Sequence, residues 1–334
     1  MNKVKVCVVG TGHLGKVHIK LLKGINNCEL IGVYDKDFNK SKNVAEEFNV
    51  KQYHELEKLL EDTEAVVIVA TTSAHYELVK KAFEFNKHVF VEKPITVHIW
   101  EAEELVKISE EKKLKLQVGH IERFNPALVA LEKYDLNPMF IQSDRLSQFN
   151  MRGTDVAVVL DLMIHDIDII LSLIKSEIKD IKASGIAVVS NNIDIANARI
   201  EFENFAVANV TASRISQKRM RKMRLFQRDT YFSIDFIEGQ TEIIRLLAPD
   251  SLPKGGYLNL GEIGIGEKKK IVIYENPSQI NINPLQYELQ LFVNSILNDT
   301  KPPVTGADGL KALKVADMII KKIEESIERA KIIN

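Results

Sequence analysis

Val4-Lys5-Val6-Cys7-Val8-Val9-Gly10-Thr11-Gly12-His13-Leu14-Gly15 is the stretch on which the reading of the fold turns. Its first six residues are apolar except for Lys5 and predict a buried strand. A G-x-G-x-x-G follows at once, and Leu14, Val17, His18, Leu21, Leu22 and Ile25 then recur at helical spacing. A glycine turn that closes a strand and opens a helix is the context in which this motif binds a dinucleotide. Gly10 permits the tight turn, Gly12 lets a pyrophosphate approach the backbone, and Gly15 lets helix and strand pack closely. The helix start at His13 and Leu14 offers N–H groups and a positive dipole end to the phosphates. The competing reading is a glycine turn that is purely structural.

Working outward, strands are expected at 29–34, 65–70, 88–91 and 114–118. Helices are expected at 39–48 and 100–113, with shorter ones around Leu56 to Leu60 and Leu78 to Phe83. Such alternation implies a parallel sheet covered on both faces. Beyond a seam near 119–126 the pattern changes. A helix is predicted over 155–174, then extended runs at 181–189, 196–202, 207–213, 225–226, 231–236, 243–247 and 271–274. Strands in succession predict a mostly antiparallel sheet. Helices at 284–297 and 309–327 follow, and no internal repeat or low-complexity segment interrupts the chain.

A length of 334 residues suits two domains of ordinary size. Hydrophobic residues at 45% and charged residues at 27% describe a soluble globular protein and exclude global disorder. Lys and Arg total 45 against 46 for Asp and Glu, a net charge of −1. That balance argues against a chain that coats nucleic acid or an anionic membrane. The long apolar stretch after Asp155 is broken by Asp161, His165, Asp166 and Asp168, so no transmembrane helix is expected. Met1-Asn2-Lys3 leads into the first strand without signal-peptide architecture. Cys7 and Cys28 provide neither a disulfide framework nor a cysteine metal site. The expectation is a cytoplasmic protein.

Four further features carry chemistry. Asp35 ends the second expected strand, where a carboxylate accepts hydrogen bonds from the adenosine ribose and repels a 2′-phosphate, favouring NAD over NADP; a turn-forming Asp is the plainer reading. Glu92-Lys93-Pro94 stands at the carboxyl end of the strand 88–91, the edge where open parallel sheets bind ligands. A lysine there can hydrogen-bond a substrate oxygen and exchange protons, or it is a solvated surface lysine. In 155–174, fourteen of twenty residues are apolar, yet Asp161, His165 and Asp168 recur at i, i+4 and i+7 on one helical face. That stripe is a satisfied structural network, an acid–base site or a metal site; metal is the weakest, since no further His or Cys cluster completes a ligand set. Residues 214–228 hold seven cations, beginning with Arg214, and no acid. They form a solvated face or bind a phosphate-bearing substrate; nucleic acid is disfavoured, because no DNA-reading motif accompanies them.

Together these pieces resemble the Gfo/Idh/MocA family of oxidoreductases over almost the whole chain. The resemblance is carried by the Gly10 to Gly15 turn, Glu92-Lys93-Pro94, and Asp161-Leu162-Met163-Ile164-His165-Asp166-Ile167-Asp168, which matches the family's D-x-x-x-H and H-x-x-D. Pro303-Val304-Thr305-Gly306-Ala307-Asp308-Gly309 resembles its near-terminal P-V-x-G-x-D-G. The family implies an α/β protein with an N-terminal Rossmann-type doubly wound parallel sheet over 1–121. Residues 122–334 would form a C-terminal α+β domain with a large, mostly antiparallel open sheet for substrate binding and oligomerisation. It implies NAD as cofactor, Lys93, Asp161 and His165 as the catalytic group, and no metal. It also implies that Thr72 and His75, in the loop after the family's fourth sheet strand, contact the cofactor together with Glu92 and Lys93. Thr71 stands where the family commonly has proline, a departure in that loop.

Within the family, Val118-Gly119-His120-Ile121-Glu122-Arg123-Phe124-Asn125-Pro126 and Asn209-Val210-Thr211-Ala212-Ser213-Arg214-Ile215-Ser216 look most like members that oxidise the 3-hydroxyl of UDP-N-acetylglucosamine to a ketone for later amination. That likeness implies a small-molecule nucleotide sugar as partner, with Lys93, Arg123, Asn125, His165 and Arg214 at the substrate. It implies a homodimer or homotetramer through the C-terminal sheet, with no nucleic acid and no membrane involved. The alternatives are a free-sugar or cyclitol dehydrogenase and a non-catalytic NAD-binding sensor.

Overall fold

The computed structural model describes residues 3–150, 156–277 and 281–333. Met1, Asn2 and Asp155, the expected start of the long helix, lie outside the described residues.

The first sheet is built as the alternation predicts. Strands β1 (Val4–Val9), β2 (Cys28–Tyr34), β3 (Ala65–Ile68), β4 (His88–Glu92) and β5 (Leu116–Gly119) form a five-stranded parallel sheet in the order β2-β1-β3-β4-β5. Helices α1 (His13–Leu22), α2 (Phe38–Phe48), α3 (Leu56–Glu61), α4 (His75–Glu84) and α5 (Ile99–Glu111) connect them. The loop Thr71 to His75 follows the third strand in chain order, not a fourth. Val4, Val6 and Val8 of β1 are buried against Ile19 and Leu22 of α1. Valine there suits a sheet buried on both faces, where branched side chains pack tightly on the pleat.

The second sheet has nine strands. After the short helix α6 (Pro126–Val129) come β6 (Phe140–Leu146), a π-helical turn over Val159–Met163, and α7 (Ile164–Leu173). Strands β7 (Ile178–Ile186), β8 (Ile195–Phe202), β9 (Val207–Ser213), β10 (Met220–Gln227), β11 (Thr230–Asp235), β12 (Gln240–Leu247), β13 (Leu258–Ile263) and β14 (Lys270–Glu275) complete it. The order is β13-β14-β12-β11-β10-β6-β9-β8-β7, antiparallel except for the β6–β9 pair. Two strands escape the sequence pattern. In β6 the buried positions are Ile141, Ser143 and Arg145, so polar residues face inward and no apolar alternation exists. All six residues of β13 are exposed, leaving no buried face to show a period.

The expected continuous second domain over 122–334 needs correction. The division does fall between Ile121 and Glu122, but Ile282–Leu313 belongs to the first unit. The reason is hydrophobic: helix α8 (Pro284–Leu297) buries Leu285, Leu289, Phe292 and Val293 in the core built on β1 and α1. Helix α9 (Gly306–Ile333) begins in the first unit, and the chain from Lys314 onward belongs to the second. No helix among the described residues is long and apolar enough to cross a membrane.

Candidate active site

The glycine turn has the geometry its spacing requires. Gly10 sits at φ +99°, and a Cβ there would stand 2.7 Å from the Val69 carbonyl carbon. A Cβ on Gly15 would lie 2.0 Å from the Gly10 carbonyl oxygen, so only hydrogen fits where α1 crosses the turn. At Gly12, the N-cap of α1, a Cβ would meet nothing within 4 Å. That bare backbone at a helix N-terminus, with exposed His13 and Leu14 next in line, is what a pyrophosphate needs. Beside it lies a cavity of about 320 Å³ lined by Gly10, Gly12, Asp35, Lys36, Lys40 and Thr71, among others. Asp35 Oδ2 accepts from the Thr11 N–H at 2.7 Å and the Thr11 hydroxyl at 3.0 Å, and Oδ1 accepts from the Asp37 N–H at 2.9 Å. The carboxylate is thus fixed at the cavity wall with acceptor capacity to spare. The turn and Asp35 fit NAD.

At the third-strand loop, Thr71 lines the cavity and Thr72 is half-buried. His75, expected at the cofactor, is only 1% exposed. Its ring nitrogens face the carbonyls of Pro94 and Ala70, and burial pulls its pKa below the ordinary value against the pull of those oxygens. It is a support of the loop, not a contact surface. Glu92 likewise engages its own domain, 2.9 Å from His18 Nε2. Lys93 is half-buried at the end of β4.

The expected one-face stripe is divided. Asp161 lies in the π-helical turn, whereas His165 and Asp168 lie in α7, so the i, i+4 stacking of a regular α-helix does not run through the segment. Asp168, 1% exposed, takes a bidentate grip from Arg123, with Nε and Nη2 each 2.6 Å from a carboxylate oxygen. Asp166, outside the expected stripe, meets Arg145: Nε–Oδ2 is 2.6 Å, and Ser143 donates to Oδ1 at 2.8 Å. Arg145 also donates to Glu122 at 2.8 Å. Burial alone would lower the Arg145 pKa, but Asp166 and Glu122 outweigh it and keep the guanidinium charged. Asp161 and His165 remain half-exposed. The helix therefore separates structural carboxylates, which are buried and paired, from Asp161 and His165, which keep access to solvent.

The expected substrate contacts are largely engaged inside the second domain. Asn125 caps α6, accepting from the Ala127 N–H at 3.1 Å and donating to Glu122 and to the Phe236 carbonyl. Arg214 is 4% exposed, donates Nη2 to the Val156 carbonyl at 2.6 Å, and lies 3.8 Å from Asp194. The clamp expected of Arg214 is corrected: its charge is buried with an anion, which is how a buried guanidinium is tolerated. Burial would raise the Asp194 pKa, yet the Ser190 hydroxyl and the N–H groups of Ser190, Val189 and Val188 hold it well below its usual range. Further along the basic run, Lys218, Arg219, Lys222, Arg224 and Arg228 are exposed and Arg221 is half-buried, the solvated-face pattern.

Sequence reasoning missed His18, Glu122, Arg145 and Asp194. Arg145 had a faint signal, standing two and four residues beyond Ser143 and Ile141 at strand period. Asp194 had none, since an acid in a loop is ordinarily solvated.

Residues 4–120 match the oxidoreductase family with an NAD-binding Rossmann fold, and residues 139–234 match the GFO/IDH/MocA C-terminal domain. The chain is 35% identical to the UDP-N-acetylglucosamine 3-dehydrogenase of Acidithiobacillus ferrooxidans over 73% of its own length and 77% of that protein. A solved structure of an enzyme of that name and organism superposes with a TM-score of 0.86, covering 97% of this chain and 99% of that one at 30% identity. The scyllo-inositol 2-dehydrogenase (NAD(+)) of Bacillus subtilis is 30% identical over 64% of this chain and 68% of that protein.

Proposed function

The chain belongs to the Gfo/Idh/MocA family of NAD-dependent oxidoreductases acting on CH–OH groups, and on that premise we propose that it oxidises the 3-hydroxyl of a UDP-N-acetylhexosamine to the 3-keto sugar. UDP-N-acetylglucosamine is the substrate of this reading, and the ketone suits later amination. The likeness over 97% of the chain to a UDP-N-acetylglucosamine 3-dehydrogenase carries it.

NAD, held by the Gly10 to Gly15 turn and Asp35, supplies a hydride acceptor when bound. The chain's own residues manage the proton. His165 takes it from the hydroxyl, Asp161 orients and stabilises the resulting imidazolium, and the Lys93 ammonium stabilises the developing alkoxide. The pH–rate profiles of Lys93 and His165 variants decide which of the two removes the proton. Arg123 serves through Asp168 by holding α7.

The protein works in the cytoplasm as a homodimer or homotetramer, without nucleic acid or membrane. The open face of the large sheet supports the assembly. Phe140, Phe226, Tyr231, Ile244, Tyr274 and Leu258 pair in register across six strands as one apolar row. Phe140 and Phe226 are each 37% exposed and Leu258 is 64% exposed, surface that a second copy would cover.

The test is NADH absorbance after mixing the protein and NAD with UDP-N-acetylglucosamine, or with scyllo- or myo-inositol. NADH formed with the nucleotide sugar alone is the expected result. The burial of Arg214 and the inositol dehydrogenase relative favour a second reading, a cyclitol dehydrogenase, which NADH formed only with inositols would establish. Dinucleotide binding without turnover of any of them would point to a sensor.

A further inference from the structure

Two buried histidines stand on either side of Lys93. His18, on α1, is 0% exposed and places Nε2 2.9 Å from Glu92 Oε1. The other oxygen of that carboxylate accepts the Lys93 N–H at 3.3 Å. Gly119 leaves the carboxylate its room, because a Cβ there would lie 3.0 Å from Glu92 Oε2. On the other side, His75 Nδ1 stands 2.9 Å from the Pro94 carbonyl, and its Nε2 stands 3.1 Å from the Ala70 carbonyl. The residue before the lysine and the residue after it are thus each tied to an imidazole that is itself immobilised by burial. A neutral imidazole carries one N–H, so His75 donates to one of these two carbonyls; with the hydrogen on Nδ1 it holds Pro94, while Ala70, which lines the cofactor cavity, faces the other ring nitrogen.

We propose that His18 and His75 are positioning residues for Lys93, pinning the Glu92-Lys93-Pro94 turn from both sides so that the ammonium is presented at a fixed place. This rests on the reading of Lys93 as a group that acts on the substrate. A four-bond side chain has many rotamers, and catalysis by such a group depends on limiting the space its root explores. Neither histidine reaches the reacting atoms, and each acts through the backbone or carboxylate it holds.

The two ring nitrogens in use differ, and that difference makes the proposal testable. Asparagine places its amide nitrogen about where Nδ1 stands, whereas glutamine reaches about as far as Nε2. His75→Asn should therefore keep the hold on Pro94 and His75→Gln should lose it; at position 18 the order reverses. His75→Gln and His18→Asn are expected to lower kcat about ten- to a hundredfold. Their NAD dissociation constants, measured by calorimetry, should stay within about threefold, while His75→Asn and His18→Gln stay within about threefold of the parent in kcat. Hydrogen exchange of the free protein supplies a readout apart from activity: the amides of Glu92, Lys93, Ile95 and Thr96 should exchange faster in His75→Gln and His18→Asn only.

In a Lys93→Ala background the histidine replacements should cost nothing further in kcat, since what they position is gone. Asn and Gln behaving alike at both positions, or costs that persist undiminished in Lys93→Ala, would overturn the pin. If a His18 variant does not fold, Glu92→Ala removes the same tie from its more exposed end and must reproduce the loss in kcat and the faster exchange. Lys93→Ala with full turnover would instead defeat the reading of Lys93, while the exchange data would still judge the pin.

Discussion

Asp35 holds Thr11 and Asp37 by their N–H groups and presents its charge to the cavity where the adenosine half of a dinucleotide would lie. The unmodified protein should bind NAD(H) more tightly than NADP(H). Asp35→Ala should narrow the gap, because Lys36 and Lys40 line the same cavity and attract a 2′-phosphate once the carboxylate is gone. Equal affinities in the parent by titration calorimetry would remove this electrostatic argument. His165→Ala should reduce kcat by about 10²–10⁴, and Asp161→Asn should lower it too, since an amide stabilises an imidazolium less well. Both variants should retain NAD binding and most of their Tm; unchanged turnover in both would leave the pair without a role. At His75 the prediction concerns pH. Burial, opposed by the Pro94 and Ala70 carbonyls, holds its folded pKa below the value of about 6.5 that the unfolded ring has. Between those two values the unfolded chain binds the extra proton, so stability is lost as pH falls through the window. His75→Asn should therefore show a shallower drop in Tm from about pH 7 to about pH 5. His88, also depressed, first by burial and then by Lys115, is present in both proteins and cancels in the comparison.

Helix α7 and strand β6 make sense only as a pair. Ser143 and Arg145 point inward from β6 because Asp166 faces them from the helix, and Glu122 takes the remaining reach of the guanidinium. Arg145→Met should lower stability by about 3–5 kcal/mol, the cost of leaving buried carboxylates without their shared cation. Melting curves check this, and a second replacement at Asp166 should restore part of the loss. Arg123→Ala exposes the same logic at Asp168. It should lower Tm and kcat together with little selective change in the KM for the sugar. A raised KM at unchanged Tm would instead return Arg123 to direct substrate contact.

For the molecule as a whole, the apolar row from Phe140 to Leu258 carries the question of assembly, since Phe140, Phe226 and Leu258 are exposed in the single chain. Phe226→Asp places a charge within that row and should shift a dimer or tetramer toward monomer at micromolar concentration in sedimentation velocity. Its Tm should become concentration-dependent at higher protein concentrations than the parent's. A parent that sediments as a monomer at all concentrations would remove the assembly from the reading.

The strand order of the first sheet was not written in any local pattern, but its elements were. Short, largely apolar runs mark β1 to β5, and helical spacing marks their helices, because the strands are buried in the sheet and each helix buries one face. The glycine turn was legible for the same reason: Gly10 and Gly15 satisfy steric demands within one strand–helix junction. Lys93, Asp161 and His165 were legible as polar residues in apolar or edge contexts. Which charges are structural was not legible, since Asp166 and Asp168 look in sequence much like Asp161. Only the tertiary fold brings Arg145, from β6, and Arg123, from the segment after β5, to these carboxylates. The same holds for Arg214 with Asp194 and for His18 with Glu92, partners 20 and 74 residues apart. A charge's environment is set by whatever folds against it, so the local chain determines the elements and the assembled core decides which polar residues remain available for chemistry.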